Sequence, residues 1–137
     1  MPRIKEDNII NHNGYLFEGQ ANLEGEVQKA VITQLEKHQV GAKVSVEKMK
    51  SGGMIMGSRE EVIVLRKGGF NPIYIITRTV GDFLYVSILT MAKYDFSKVT
   101  NIFQTETLSA YWSACTACLD DALSSLGMNG NEGRIMQ

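Results

Sequence analysis

The sequence predicts an α+β fold: an antiparallel sheet of four strands, or of five, in meander order, flanked by an N-terminal and a C-terminal helix. Two runs rich in β-branched and aromatic residues are separated by Gly81-Asp82, a spacing that is typical of a β-hairpin. An earlier segment, Ala42–Lys48, alternates apolar and polar residues, Glu61–Arg66 adds a further strand, and apolar stripes with helical spacing lie before and after all four strands. Strands grouped between two helices favour an antiparallel sheet with helices packed on it.

The hairpin is the element that the sequence determines best. Its strands are predicted over Ile73–Val80 and Phe83–Met91. A two-residue loop fixes the register, so Arg78 is expected to lie opposite Tyr85. Because side chains alternate between the two faces of a strand, this register places aliphatic residues on one face and aromatic residues with one arginine on the other.

The remaining elements follow from periodicity. Two more strands are predicted over Ala42–Lys48 and Glu61–Arg66, and the helices over Asn22–His38 and Thr105–Leu126. Tyr15–Phe17 is either a short strand or an apolar segment packed on the first helix. Residues 1–13 are expected to form an arm, residues 128–137 a frayed tail, and residues 1–137 together a single domain.

Composition limits the classes of function. The chain carries 14 basic and 15 acidic residues, for a net charge of -1, whereas a nucleic-acid-binding domain typically has a basic excess. Binding of single-stranded nucleic acid by aromatic residues of the sheet therefore ranks third among the hypotheses. No apolar run reaches the roughly 20 residues that a membrane-spanning helix needs, and the charged N-terminus does not resemble an export signal. With only two cysteines, the protein is expected to be cytoplasmic.

The aromatic face of the hairpin is the first candidate site, and it carries Tyr74, Arg78, Phe83 and Tyr85. A face of this kind is too apolar to remain bare in water. The sequence is consistent with three ways of burying this face: under another part of the same chain, under a second copy of the chain, or under a ligand whose anionic group is held by Arg78.

The second candidate is a glycine-bounded loop that contains Met54, Ile55, Met56 and Arg59. Flexible methionines are favoured at surfaces that adapt to a partner, so this loop is a candidate for partner binding. The alternative is a hairpin tip or bulge whose methionines pack back on the core. The segment has no Gly-Lys-Ser/Thr sequence and therefore does not match a nucleotide phosphate loop.

No residue pattern indicates catalysis, a cofactor or a metal, and we expect none of the three. Cys115 and Cys118 match C-x-x-C in letters, but they lie well inside the last helix on its apolar stripe, where packing in the core is expected. Zinc would need further ligands, and the two histidines of the chain, His12 and His38, do not have zinc-finger spacing.

These observations lead to two main hypotheses of different classes. The first is a small non-enzymatic binding module, homodimeric, that engages a protein partner through the methionine loop or the aromatic face. The second is a protein or enzyme that binds a small anionic ligand in a cleft between the sheet and the last helix. In that cleft Arg78 would hold the anion, and Tyr85 or Tyr111 would donate a hydroxyl hydrogen bond.

Overall fold

The computed structural model describes residues 3–4, 9–51, 60–91, 102–128 and 133–136. They form, in chain order, strand β1 (Arg3–Ile4), strand β2 (Ile9–Phe17), helix α1 (Glu24–Lys37), strands β3 (Lys43–Ser51), β4 (Glu60–Arg66), β5 (Ile73–Val80) and β6 (Phe83–Met91), helix α2 (Ile102–Ser125) and strand β7 (Gly133–Met136). The strands make one sheet in the order β1-β3-β4-β5-β6-β2-β7. Its long strands pair antiparallel, so the predicted α+β class with an antiparallel sheet is confirmed.

The sheet order departs from a pure meander. Strands β3 to β6 are consecutive neighbours, but β2 pairs with β6, and β7 adds to the outer side of β2. Residues 9–13, expected as part of an arm, therefore belong to β2, and Gly133–Met136, expected in the tail, form β7. Asparagine is depleted in strands, so residue preference did not indicate residues 9–13 as a strand, which pairing with β6 holds in place.

The register of the hairpin is confirmed position by position. Arg78 pairs with Tyr85, Tyr74 with Leu89, and the two residues flanking the turn pair with each other. Gly81 adopts a φ of 59°, which a residue with a side chain rarely does, so the turn needs a glycine at this position. The hairpin tip is tied to the N-terminal side of α1, because the Ala21 amide donates to the Asp82 carbonyl at 3.2 Å.

Side chains of both helices belong to one hydrophobic cluster with the aliphatic face of the sheet. Helix α1 contributes Val27, Val31 and Leu35, as its predicted stripe implies. Fully buried partners from α2 and the sheet include Cys115, Leu119, Ile63, Ile75, Val86 and Ile88. The aliphatic face is thus covered by helices, which leaves the opposite face as a separate environment.

Three polar contacts fix the helices against the sheet and against each other. Gln28 Nε2 of α1 donates to the hydroxyl of buried Thr77 at 3.3 Å, and the Tyr15 hydroxyl of β2 donates to Asp120 of α2 at 3.3 Å. His38 and Asp121 form an exposed ion pair at 3.4 Å when the histidine is protonated. Neither described helix is long and apolar enough to cross a membrane.

Candidate functional site

The register places the four predicted residues of the aromatic face on the side of the sheet that does not carry the main cluster. Their environments differ. Tyr74 is buried, Phe83 and Tyr85 are half-buried, and Arg78 is exposed. The aromatic face therefore divides into a buried part around Tyr74 and an accessible part around the hairpin tip.

Tyr74 is buried in a second hydrophobic cluster. It packs with Val62, Val64 and Leu89, and Val64 is fully buried. Burial raises the pKa of the Tyr74 hydroxyl. Tyr74 thus contributes to the packing of this face, and its ring is not available on the surface beside Arg78.

Tyr85 is held against β2. Its hydroxyl lies 3.4 Å from His12 Nε2, and its ring lies over Gly14. A Cβ atom at Gly14 would stand 2.9 Å from the ring carbon that carries the hydroxyl, so this close approach requires a glycine. The contact with His12 and Gly14 gives Tyr85 a structural role in positioning strand β2.

An ion pair that was not predicted from the sequence lies on the same face of the sheet, on strands β3 and β4. Arg66 of β4 makes two hydrogen bonds to Glu47 of β3, one of them at 3.0 Å, and the Ser45 hydroxyl donates to Glu47 at 2.5 Å. Hydrogen bonding by Arg66, helped by Ser45, lowers the pKa of Glu47 to about 2. Arg66 lies opposite Lys43 in the register, so strand pairing alone gave no signal of its contact with Glu47.

A cavity of about 600 Å³ lies on the helix side, between the first half of α2 and the adjoining ends of β2, β5 and β6. We call it the α2 cavity. Its described lining combines apolar and polar uncharged side chains: Asn11, Phe70, Asn71, Ile73, Thr90, Thr105, Leu108, Ser109, Tyr111, Trp112 and Ser113. A volume of this size can enclose a small organic molecule.

The turn before β5 builds one wall of the α2 cavity. It brings Phe70 against Tyr111 of α2, with ring centroids 4.4 Å apart, and Lys67 places its ammonium 5.4 Å from the Tyr111 ring. The buried hydroxyl of Thr90, on β6, donates a hydrogen bond to the Pro72 carbonyl at 2.8 Å. The aromatic wall is therefore held by contacts that its own residues make with each other and with Lys67.

Tyr111 carries a buried polar atom without a partner. Its side chain lines the α2 cavity, and its hydroxyl oxygen has no hydrogen bond among the described residues. The Cys115 sulfur, one turn further along α2, is only a weak acceptor. Burial raises the pKa of Tyr111, and the neighbouring Cys115 raises it further, so the hydroxyl stays protonated. A buried hydroxyl without a partner costs about 1–3 kcal/mol, which a hydrogen-bonding ligand would offset.

The structure separates the residues that the cleft hypothesis brought together. A cleft between the sheet and α2 exists, and Tyr111 lines it. Arg78 and Tyr85 lie on the opposite face of the sheet and are not among the described lining residues. Trp112, Phe70 and Asn71 were not predicted for this site, since neither helical periodicity nor turn chemistry indicates which loop lies under α2.

The two cysteines pack in the core, as predicted. Cys115 and Cys118 are free thiols, 0% and 2% exposed, and burial raises the pKa of Cys115 to about 12. Within the described residues, no three side chains of His, Cys, Asp and Glu gather as a metal site would require. Met54, Ile55, Met56 and Arg59 lie outside the described residues.

Comparisons with known proteins give a fold and no family. No protein-family model matches the chain, and no curated protein matches it. A similar fold occurs in the crystal structure of the exocytosis-sensitive phosphoprotein pp63/parafusin, a phosphoglucomutase from Paramecium, in its open form, with a TM-score of 0.53 and 12% sequence identity. The match covers 91% of this chain but only 22% of that chain. At this identity the similarity concerns the fold alone, and it agrees with the α+β class.

Proposed function

We propose that this protein is a small binding module whose ligand site is the α2 cavity. The observation that carries the proposal is a cavity of about 600 Å³ that the Tyr111 side chain lines, together with the buried Tyr111 hydroxyl, which lacks a hydrogen-bond partner among the described residues. Apolar pockets with a few convergent polar groups are the usual form of small-molecule sites. A ligand that hydrogen-bonds Tyr111 would gain affinity by satisfying it.

The lining defines the class of ligand. Phe70, Tyr111 and Trp112 offer faces for an aromatic ring, and the hydroxyls of Ser109 and Ser113 offer hydrogen bonds. All described lining side chains are uncharged, and the nearby Lys67 ammonium is engaged by the Val40 carbonyl at 3.2 Å. The preferred ligand is therefore a neutral aromatic molecule with amide or hydroxyl groups rather than an anion.

Trp112, the only tryptophan of the chain, reports binding directly because it lines the α2 cavity. The probes are two pairs matched in ring and different in charge: benzamide with benzoate, and adenosine with adenosine monophosphate. We expect the neutral member of a pair to change the Trp112 fluorescence at the lower concentration. The anionic-cleft hypothesis predicts the reverse order, and no response to any of the four probes at millimolar concentration would contradict the proposal.

Two variants test the site itself. Ser109→Phe, on the cavity wall, should abolish the response, whereas Ser124→Phe, on an exposed part of the same helix, should preserve it. Tyr111→Phe should weaken binding of the best probe about fivefold while stabilising the ligand-free protein, because it removes a hydroxyl that has no partner until the ligand binds. Equal binding by Ser109→Phe and the unsubstituted protein would exclude the α2 cavity as the ligand site.

A protein partner on the accessible part of the aromatic face is the second candidate. What favours it is Val80, which is 70% exposed and pairs with half-buried Phe83 at the hairpin tip, beside exposed Arg78. A photo-crosslinking residue at position 80 should form one discrete adduct in cells, and the same residue at exposed Thr33 of α1 should not. The absence of an adduct at position 80 would remove this candidate. The methionine loop as a partner site and the cytoplasmic location stay predictions.

A further inference from the structure

Within the part of the chain that the structure describes, strand β3 has an open outer edge along most of its length. On that side, the described strands offer only β1, which pairs with Lys50 and Ser51. From Lys43 to Met49, β4 is the only described strand that pairs with β3. Val46, in the middle of this stretch, is 47% exposed. A row of backbone donors and acceptors beside an exposed valine is a template for an added strand.

The side chains of β3 decide which strand fits. Val44 and Val46 lie on the helix side, opposite Leu65 and Ile63 of β4. Lys43 and Glu47 lie on the other side with Ser45 between them. An antiparallel copy related by a twofold axis perpendicular to the sheet must place side chains of the same face opposite each other.

One register of two copies satisfies both charge and packing. If the axis passes between the two Ser45 residues, Lys43 of each copy lies opposite Glu47 of the other, and Val44 lies opposite Val46. An axis at Val44 would leave Lys43 opposite Ser45, with no pair of opposite charges. An axis at Val46 would place Val44 opposite Lys48, and an axis at Glu47 would place the two carboxylates opposite each other. The charges that protect this edge from other pairings therefore favour a single one.

We propose that a second copy of this chain pairs antiparallel with β3 in the register centred on Ser45, which makes the sheet continuous across a twofold axis. Glu47 would then lie between Arg66 of its own chain and Lys43 of the second copy, in a network of three alternating charges. The proposal is independent of ligand binding, since no described residue of β3 lines the α2 cavity.

Charge reversal tests the register. We expect the full chain to sediment as a dimer, and Lys43→Glu or Glu47→Lys each to lower the association constant roughly tenfold, because two attractive cross-strand pairs become repulsive. Mixing the two variants should restore a heterodimer, since both of its pairs are again of opposite charge. Lys48→Glu is the control, because Lys48 lies opposite Ala42 in this register.

A disulfide test is independent of charge. Directly opposite residues of antiparallel strands have Cα atoms about 4.5–5.5 Å apart, within disulfide range. Ser45→Cys should therefore form a crosslinked dimer on mild oxidation, and Lys48→Cys should not, while Cys115 and Cys118 are buried and do not compete. A monomer at the highest concentration, or a dimer that Lys43→Glu and Glu47→Lys leave intact while circular dichroism shows both variants folded, would overturn the proposal.

Discussion

Glu47 shows how a single carboxylate is kept ionised on a sheet surface. Arg66 holds it through two hydrogen bonds and Ser45 through a third. The pKa of Glu47 is lowered to about 2 by these contacts, from an ordinary value of 4.5. Because the folded state then binds its proton less readily than the unfolded state does, the stabilisation is complete above about pH 4.5 and is lost as the pH falls towards 2.

Glu47→Gln should lower the free energy of unfolding by about 1 kcal/mol at pH 7, a value limited by solvent screening because the side chains of Arg66 and Glu47 are 40% and 26% exposed. The difference from the unsubstituted protein should shrink to nothing near pH 2. Urea unfolding at one fixed protein concentration, at pH 7, 4 and 2.5, measures it. Glu61→Gln, an exposed substitution on β4, controls for the loss of one negative charge. If the difference in the free energy of unfolding stays constant over this pH range, the negative charge of Glu47 does not contribute to stability through Arg66.

Single residues of the site were predictable only where burial follows from local pattern. Cys115 and Cys118 lie on a helical stripe, and the sequence placed both in the core. Tyr111 lies on the same stripe, but its partnerless hydroxyl depends on what lies under α2, which is a matter of tertiary packing. The pairing of Glu47 with Arg66 is a diagonal contact between long side chains, and strand register alone does not indicate it.

Both helices end in the same motif with different residues. At the end of α2 the Met128 amide donates to the Leu123 carbonyl at 2.8 Å, and Gly127 adopts a φ of 77°. At the end of α1 the Val40 amide donates to the Leu35 carbonyl at 3.4 Å, and Gln39 adopts a φ of 51°. These are Schellman motifs, in which glycine is the preferred residue with positive φ. Helix α2 has the preferred glycine at this position, whereas α1 has Gln39.

Gln39→Gly should therefore stabilise the protein by about 0.5–1 kcal/mol, since it relieves left-handed strain that exceeds the extra chain entropy of glycine in the unfolded state. Gly127→Gln is the mirror-image control and should destabilise by a similar amount. Urea unfolding with an unchanged slope measures both. Loss of stability in Gln39→Gly would mean that the side chain of Gln39 makes a contact worth more than the strain.

The elements themselves were predicted best where two local signals agreed. Strands β5 and β6 have both strand-forming residues and a defined turn, and their bounds and register match the structure. Strand β2 has neither along residues 9–13, because its asparagines disfavour strands and its partners β6 and β7 come from distant parts of the chain. A strand that depends on non-local pairing leaves little trace in its own sequence.

At the scale of the whole molecule, sequence patterns do not indicate the face of the sheet on which each helix packs. An apolar stripe shows that a helix is buried on one side, but it does not identify the partner surface. In the structure the stripes of α1 and α2 share the aliphatic face, and the smaller cluster around Tyr74 lies on the other. Apart from Tyr111, the buried α2 residues of the shared cluster lie from Cys115 onwards, and the α2 cavity lies beside the preceding turns, from Thr105 to Ser113.

The shared cluster makes the two cysteines reporters of global unfolding. Cys115 and Cys118 lie between α2, α1 and the sheet, and burial raises the pKa of both thiols, so a thiol reagent at pH 8 should label them only after the helices separate from the sheet. Val31→Ala, in α1, removes fully buried methyl groups from the same cluster and should cost roughly 2 kcal/mol. When the helices close again faster than the reagent labels the thiols, a destabilisation of roughly 2 kcal/mol increases the labelling rate of both cysteines about 30-fold. Thr33→Ala, an exposed substitution in the same helix, should leave the rate nearly unchanged. A Val31→Ala protein that is destabilised in urea but labelled no faster would show that α2 opens locally, independently of α1.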